Sequence, residues 1–367
     1  MARKSEIIVV KIGSSVIAPK GKLDANLVAK IVEDILKVEK KGYKVVLVSS
    51  GAIACGLNQL KFKKRPKDTH MLMAISSLGQ IILMDIFNAQ FKKYKRNCAQ
   101  ALLTRDDFDD RKRYMNIKKT IEKLIDLGAI PIINENDVVS HEEIGIGDND
   151  RLSADLADLI GAKQLIILSD IEGLLDGDKL VKEVSKIDKK IKDLVKKQDK
   201  THTKGGMDTK LQAATKANLS GISVRIASGR KNKVISGIVE GKDIGTLFLP
   251  SSEIERSRKR WIYSKADKGI KGAVCIDDGA KEALLNKGRS LLGVGITEVR
   301  SQFNKGDVVV VLDKAGAALG LGIINYSFKD FQNAKSKRFD KEVIHRDNFI
   351  KTLQDWVYQP KFKENNL

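Results

Sequence analysis

Short apolar runs alternate with longer amphipathic stretches along the first 230 residues of the chain. Runs rich in Val and Ile predict buried strands over residues 6–12, 44–52, 97–104, 129–137, 163–170 and 222–229. Apolar residues three or four positions apart predict helices between these strands, the first around Leu27–Val38 and others over 68–94, 117–128, 150–161 and 205–221. This alternation predicts an α/β domain, in which an open, mainly parallel sheet has helices on both faces.

Polar segments follow four of the predicted strands. They read KIGSS, VSSGA, INEND and LSDIEG, and they are rich in Gly, Ser, Asn and Asp. In an open parallel sheet, ligands bind beyond the carboxyl ends of the strands. We therefore expect these segments to meet in one cleft.

The pattern changes after about residue 250. A charged run that includes Trp261 is followed by short apolar runs, tight turns and one predicted helix. The change predicts an α/β domain over 1–250, a linker over 251–272, a small, mostly β domain over 273–358 and a tail over 359–367.

The composition is typical of a folded protein in a reducing compartment. Hydrophobic residues make up 42% of the 367 residues, and the three cysteines form no CxxC pair. No unbroken apolar run approaches the roughly 18 residues that a membrane helix needs. Lys11 interrupts the first apolar run, which therefore predicts a strand rather than a signal peptide. A cytoplasmic location is expected.

The net charge of +20 is spread along the chain rather than concentrated in one segment. The last 117 residues hold 22 Lys and Arg against 15 Asp and Glu, which is +7 of the total. A basic protein can bind nucleic acid, but anionic substrates explain this charge about as well as RNA does.

Several familiar catalytic signatures are absent from the sequence. It contains no GxxxxGK[ST] phosphate loop, no HExxH and no GxSxG. The four histidines show no spacing typical of metal ligands, so no metal site formed by protein side chains is predicted.

Two segments combine lysine with glycine in a way that suits phosphate groups. Lys11 ends the first predicted strand just before Gly13, where backbone N–H groups can approach an anion. An exposed lysine before an ordinary turn explains this pattern equally well. In KGGMDTK (204–210), two glycines open a helix and Lys210 lies one turn inside it. A plain helix start is the alternative for this segment.

Two further segments offer amides and carboxylates. INEND provides Asn134, Asn136 and Asp137, and GDND provides Asp148, Asn149 and Asp150. An Asx turn and a helix cap are the simplest explanations of each segment alone. Together with the lysines, they indicate phosphoryl transfer without a Walker loop, a reaction that needs charge neutralisation and alignment of two substrates.

Six motifs taken together make the chain resemble the amino acid kinase family. KIGSS, VSSGAIACG, INENDVV, GIGDNDRLSA, LSDIEGL and GGMDTKLQAA occur in the order and at the approximate spacing of that family. RKRW, DDGAKEAL, GDVV and EVIHRDN resemble a PUA domain. The resemblance implies that ATP phosphorylates the side-chain carboxylate of L-glutamate, the first step of proline biosynthesis.

The resemblance also implies roles for individual residues. Lys11 and Lys210 would stabilise the transferring phosphoryl group, and Asp150 would orient both lysines. Glutamate would be held by Ser50, Gly51, Asn134, Asp137, Asp148 and Asn149. ATP would be held by Lys11, Gly13, Ser169, Asp170, Lys204, Gly205, Gly206, Met207, Asp208, Thr209 and Lys210. Mg²⁺ would accompany the nucleotide without a dedicated protein cage.

Two features depart from the family pattern. Lys204 replaces a small hydroxyl residue, and the segment 176–184 is short, so both affect the expected nucleotide contacts. The family further implies a homo-oligomer and inhibition by proline, with LLTRDDFDD (102–110) resembling the region linked to that control. RNA contact through the PUA-like domain is a further expectation.

Three other functions fit the same residues. The chain could phosphorylate another carboxylate, a carbamate or a nucleotide, which a panel of acceptors would reveal. It could be primarily an RNA-binding protein, with steeply salt-dependent binding. It could also bind ATP as a regulator and form no product.

Overall fold

The computed structural model describes residues 6–108, 110–139, 148–201, 206–250, 262, 270–333 and 339–351. The chain divides into two compact units, Met1–Ile254 and Glu255–Leu367. Most of the predicted linker (251–272) and all of the predicted tail lie outside the described residues, so the predicted domain limits stay a prediction.

The first unit alternates strands and helices. In chain order it contains β1 (Ile7–Ile12), α1 (Ser14–Ile17), α2 (Ala25–Lys40), β2 (Lys44–Ser49), α3 (Ala52–Gln59), α4 (Thr69–Lys92), β3 (Cys98–Leu103), α5 (Arg111–Asp126), β4 (Ile130–Glu135), α6 (Asp148–Ile160), β5 (Gln164–Ser169), β6 (Leu175–Asp176), β7 (Lys179–Leu180), β8 (Glu183–Val184), α7 (Lys189–Thr201), α8 (Met207–Leu219), β9 (Ser223–Ser228), α9 (Val234–Val239) and β10 (Thr246–Phe248). Short 3-10 helices cover Pro19–Gly21 and Arg105–Phe108.

Eight strands of this unit form one sheet in the order β3-β4-β2-β1-β5-β9-β10-β8. Neighbouring strands from β3 to β9 are parallel, and β10 runs antiparallel to β9. The predicted mainly parallel sheet is therefore confirmed, with the change of direction at one edge.

The side chains of β1 show that both faces of the sheet are covered. Val9 packs into the apolar core that includes Leu152 of α6 and Leu211 of α8. Ile8 and its neighbours on the opposite face pack into a second core with residues of α2 and α4, among them Phe87. Burial on both faces explains why the strands of the sequence are continuous Val and Ile runs.

Two boundaries predicted in this unit are wrong. The strand predicted over 44–52 ends at Ser49, because Gly51 adopts a left-handed φ of 110° and α3 begins at Ala52. The helix predicted from residue 117 begins at Arg111, because the Asp110 carboxylate caps it by accepting from the Arg113 N–H at 2.8 Å.

In the part of the chain that the structure describes, one helix, α4, is long and apolar enough to cross a membrane, as judged by length and composition alone. The core helix of a soluble protein passes the same test. The side chains of Leu83, Phe87 and Phe91 in α4 are fully buried within the unit.

The second unit is a small β structure. It contains β11 (Gly272–Ile276), α10 (Asp278–Leu285), β12 (Ile296–Arg300), β13 (Val308–Leu312), β14 (Ala318–Ile323), α11 (Phe328–Asn333) and β15 (Phe349–Lys351), with 3-10 helices at Gly293–Gly295 and Arg346–Asn348. Its strands form one sheet in the order β12-β11-β13-β14-β15. The sequence predicted one helix after the linker, and residues 270–333 and 339–351, as described, contain two.

Candidate active site

Asp150 lies between two lysines at the carboxyl end of the first sheet. Its carboxylate is fully buried in the first turn of α6. One oxygen, Oδ1, is 2.5 Å from Lys11 Nζ, and the other, Oδ2, is 3.2 Å from Lys210 Nζ. The structure thus brings together three residues that the sequence places in separate motifs.

Lys11 reaches Asp150 from β1, where it is the one charged residue of an apolar strand. The next turn passes close to its ammonium group. Gly13 donates its N–H to the Leu168 carbonyl oxygen at 3.0 Å, and a Cβ built on Gly13 would lie 3.8 Å from Lys11 Nζ. Glycine therefore leaves the space beside the ammonium group open.

Lys210 reaches Asp150 from the first turn of α8, which packs against α6. Its Nζ also donates to the Gly206 carbonyl oxygen at 3.2 Å, and the Thr209 hydroxyl donates to Asp150 Oδ2 at 2.9 Å. This helix start therefore supplies two donors to the same carboxylate oxygen.

The other predicted residues of this segment occupy different surroundings. The Met207 side chain is buried in the core, and the exposed Asp208 accepts a hydrogen bond from Gln212 Nε2 at 2.7 Å. Lys204 and Gly205 lie outside the described residues.

The charges in this cluster are coupled through burial. Burial lowers the pKa of Lys11, the charge of Asp150 opposes burial, and the charge of Lys210 adds to it, so that the pKa lies below its ordinary value. Burial alone would raise the pKa of Asp150, but Lys11 and Lys210 outweigh burial and leave that pKa below its ordinary value. Asp150 is therefore a carboxylate, and two lysines share it in a site where an added anion would be stabilised.

An uncharged polar network begins at the residue before Asp150. Asn149 Nδ2 donates to Ser50 Oγ at 3.0 Å and to Asn134 Oδ1 at 3.0 Å. Asn149 Oδ1 is buried and has no hydrogen-bond partner among the described residues. An acceptor oxygen in that position suits an N–H group of a ligand.

Asp137 follows β4 and lies close to helix α4. Its carboxylate accepts a hydrogen bond from the Ser76 hydroxyl. Burial raises the pKa of Asp137, while the Ser76 hydrogen bond and the charge of Arg65 lower it by less. The side chain of Asp148 lies outside the described part of the chain, although its backbone opens α6.

Helix α4 also supplies Gln80, whose Oε1 accepts from Asn134 Nδ2 at 2.8 Å. Sequence reasoning missed both Ser76 and Gln80, since it predicted a helix over 68–94 and assigned no site residue to it. The signal that could have found them is a Ser and a Gln four residues apart, on the face that also carries Leu83 and Phe87.

Ser169 ends the neighbouring strand β5, and Asp170 follows it. The Ser169 hydroxyl donates to Asp170 Oδ1 at 3.1 Å, and the charge of Asp170 raises the pKa of Lys11, although burial and Lys210 lower it overall. The polar segments after β1, β2, β4 and β5 therefore meet at one edge of the sheet, as the sequence predicts.

Comparison with known proteins shows the family of the chain. The model of the amino acid kinase family matches residues 6–228, which include Lys11, Asp150 and Lys210. The chain belongs to the amino acid kinase family. In the second unit of this amino acid kinase, residues 272–346 match the PUA domain.

Several relatives that match this amino acid kinase over nearly their full length share one name. The glutamate 5-kinase of Caldanaerobacter subterraneus subsp. tengcongensis is 40% identical over 363 residues, covering 94% of this chain and 97% of that protein. The glutamate 5-kinase of Nitrosospira multiformis is 40% identical over 367 residues, covering 95% and 98%. The glutamate 5-kinase of Pelagibacter ubique is also 40% identical over 367 residues, covering 95% and 99%.

A solved structure with partial likeness is the carbamate kinase from Giardia lamblia bound to AMP-PNP. The match has a TM-score of 0.48 and 21% sequence identity, and it covers 67% of this chain and 99% of the carbamate kinase chain.

Proposed function

We propose that this amino acid kinase transfers the terminal phosphoryl group of ATP to the side-chain carboxylate of L-glutamate. The products are L-glutamyl 5-phosphate and ADP, and the reaction is the first step of proline biosynthesis. The full-length relatives named glutamate 5-kinase support this function. The observation that carries it is the buried Lys11–Asp150–Lys210 cluster, which adjoins the polar network of Asn149.

Lys11 and Lys210 are suited to stabilising the phosphoryl group in transit. During transfer, a carboxylate oxygen of glutamate bonds to the terminal phosphorus as the bond to the ADP oxygen breaks, and negative charge spreads over the remaining phosphoryl oxygens. Two ammonium groups fixed on one carboxylate neutralise that charge without having to reorganise. Asp150 acts as the positioning residue for both lysines.

The reaction needs no general base. The side-chain carboxyl of glutamate has a pKa of about 4.3 and is already ionised at neutral pH. The carboxylate of Asp150 is committed to Lys11, Lys210 and Thr209. Because no proton has to be removed from glutamate, Asp150 can remain paired with these three residues throughout the reaction.

Residues around Asn149 are suited to holding the acceptor. We assign glutamate binding to Ser50, Asn134, Asp137 and Asn149, and by sequence match also to Gly51 and Asp148. The unpartnered Asn149 Oδ1 and the Asp137 carboxylate are acceptors of the kind that an α-ammonium group needs.

We assign ATP binding to residues beside Lys11 and at the start of α8. Gly13, Ser169 and Asp170 lie next to Lys11 at the carboxyl ends of the strands, and residues 206–210 open α8. Lys204 and Gly205 are assigned to ATP by sequence match alone. Within the described residues, no three His, Cys, Asp or Glu side chains form a metal cluster. We assign Mg²⁺ to the nucleotide phosphates, where it would neutralise part of their charge.

Other expectations from the family stay predictions. They are assembly into a homo-oligomer, inhibition by proline, RNA contact through the PUA domain and a cytoplasmic location. No step of the proposed reaction depends on them.

A direct test incubates the pure protein with ATP, Mg²⁺, glutamate and hydroxylamine. An acyl phosphate reacts with hydroxylamine to give a hydroxamate, which is measured as its coloured iron complex. We expect hydroxamate with glutamate and background levels with aspartate. No hydroxamate above the aspartate control would overturn the proposed function.

A further inference from the structure

Helix α4 presents two buried polar side chains to the proposed glutamate site. Ser76 and Gln80 lie one helical turn apart, and they are 4% and 8% exposed. Ser76 donates to the Asp137 carboxylate, and Gln80 accepts from the Asn134 amide. The same helix face therefore contacts two residues assigned to glutamate.

Gln80 is one end of a continuous hydrogen-bond chain. Asn134 Nδ2 donates to Gln80 Oε1, and Asn134 Oδ1 accepts from Asn149 Nδ2 and from the Glu135 N–H. Both ends of the Asn134 amide are thus fixed. Since Asn149 Nδ2 is held by Asn134 and Ser50, its unpartnered Oδ1 must point away from them. The orientation of this acceptor depends on Gln80 through Asn134.

The position of α4 is itself fixed by a close contact with α3. A Cβ built on Gly79 would lie 1.8 Å from the Ala52 carbonyl oxygen, and one built on Gly56 would lie 2.1 Å from the Ile75 carbonyl oxygen. The two helices therefore touch through their backbones. Helix α3 begins directly after Ser50 and Gly51, and α4 carries Gln80. The contact between the two helices therefore sets the distance from Ser50 to Gln80, which lie on opposite sides of the hydrogen-bond network.

We propose that Gln80 and Ser76 are positioning residues that set the affinity for the acceptor amino acid. Gln80 acts by orienting Asn134 and Asn149, and Ser76 acts by holding the carboxylate of Asp137. The inference rests on the proposed function, because the roles of Asn134, Asn149 and Asp137 belong to it. Neither residue acts on the phosphoryl group, so the effect is on binding of one substrate.

The Gln80→Met variant tests the first half of the proposal. Methionine keeps a similar volume but leaves the buried Asn134 Nδ2 without an acceptor. We expect the KM for glutamate to rise about ten-fold or more, with kcat and the KM for ATP within about two-fold of the wild type. The Gln80→Glu variant keeps an acceptor oxygen and should recover most of the affinity.

Gln90→Met is the matched control on the same helix. Gln90 accepts a hydrogen bond from Lys93 Nζ at 2.7 Å, in an exposed position. Its substitution should leave all three kinetic constants unchanged. An unchanged KM for glutamate in Gln80→Met would overturn the role of Gln80. The role would also be overturned if the KM values for glutamate and ATP rose equally and the melting temperature fell, because that combination indicates a purely structural role.

The Ser76→Ala variant tests the second half through its pH profile. The Ser76 hydroxyl and the charge of Arg65 lower the pKa of Asp137 against the effect of burial. Without the hydroxyl the pKa of Asp137 is higher. The acid limb of kcat/KM for glutamate should then move to higher pH.

Ser77→Ala is the control for this substitution, because the exposed Ser77 hydroxyl donates to the Met73 carbonyl oxygen of its own helix, at 3.0 Å. An acid limb that is identical in Ser76→Ala, Ser77→Ala and the wild type would overturn the role of Ser76. If the wild type is active with glutamate and the variants keep its KM for glutamate and its acid limb, this inference is overturned and the proposed function stands. A wild-type protein that makes no hydroxamate from glutamate overturns the proposed function first.

Discussion

At the scale of single residues, the site depends on one carboxylate that fixes two lysines. Asp150 is fully buried, and its two oxygens are divided between Lys11 and Lys210. A buried ion cluster adds little net stability, because desolvation offsets most of the attraction. Its value lies in holding two cations in place before the substrates arrive, which is what electrostatic catalysis requires.

Lys210→Ala removes one of these cations and should lower kcat by at least about 100-fold, because charge on the transferring group then loses a fixed partner. Steady-state kinetics measure the rate, and circular dichroism checks the fold. Lys192→Ala, which changes an exposed lysine of α7, is the control and should be neutral. A near-normal kcat in Lys210→Ala would remove Lys210 from the mechanism.

The pKa of Lys11 predicts an alkaline limit to activity. Burial lowers this pKa from the ordinary value of 10.5, so Lys11 loses its proton at a lower pH than an exposed lysine does. The protonated form is the active one, and kcat/KM for ATP, which reports groups of the free enzyme, should therefore fall as pH rises through this value. In Lys11→Arg the side chain stays charged, so kcat/KM should be lower but free of this alkaline limb. An alkaline limb at the same pH in both proteins would contradict the assignment.

The sequence predicts residues of the site where they follow strands, and fails where they lie inside a helix. Lys11, Asn134 and Ser169 stand at or just after strand ends, where topology brings them together. Ser76 and Gln80 lie in the middle of a long apolar helix, and no local pattern shows what they face. The bond from Thr209 to Asp150 likewise depends on the packing of α8 against α6, which the sequence does not contain.

At the scale of helices and strands, the contact between α3 and α4 controls the shape of the proposed glutamate site. The sequence pattern predicts a helix over 68–94 but does not reveal α3, because the eight residues of α3 are too few to show a clear period. The reversed direction of β10 was also missed, since strand direction is set by tertiary pairing and not by the residues of the strand.

Gly79→Ala should destabilise the first unit and weaken glutamate binding. Alanine favours the helix by about 1 kcal/mol. Its Cβ would nevertheless overlap the Ala52 carbonyl oxygen, so α3 and α4 must separate. Overpacking of this kind costs about 1–3 kcal/mol, and we expect a net loss near the upper end. Urea unfolding measures the free energy, with Ser77→Ala as the control. Stability equal to that of the wild type would show that the two helices adjust without cost.

At the scale of the whole molecule, the two units have separate apolar cores. Those of the first unit surround the eight-stranded sheet, and those of the second cover the five-stranded sheet. The sequence predicted this division from a change of pattern near residue 250. It could not predict the function of the second unit, since a basic composition fits many anionic partners.

A chain that ends at residue 250 should keep its catalytic activity, because every residue assigned to catalysis lies between 11 and 210. We expect hydroxamate formation from glutamate within a few-fold of the full chain. Circular dichroism establishes that the shortened protein is folded. A folded but inactive fragment would show that the second unit contributes to the reaction.

The most direct test of the central claim follows an oxygen atom from glutamate to phosphate. The protein is supplied with ATP, Mg²⁺ and glutamate labelled with ¹⁸O in its side-chain carboxylate, and the acyl phosphate is cleaved with hydroxylamine at its carbonyl carbon. If the carboxylate attacks the terminal phosphorus of ATP, the phosphate released carries one ¹⁸O, which shifts its ³¹P resonance. Phosphate without the label, formed at the same rate with or without glutamate, would mean that water is the acceptor and would contradict the account.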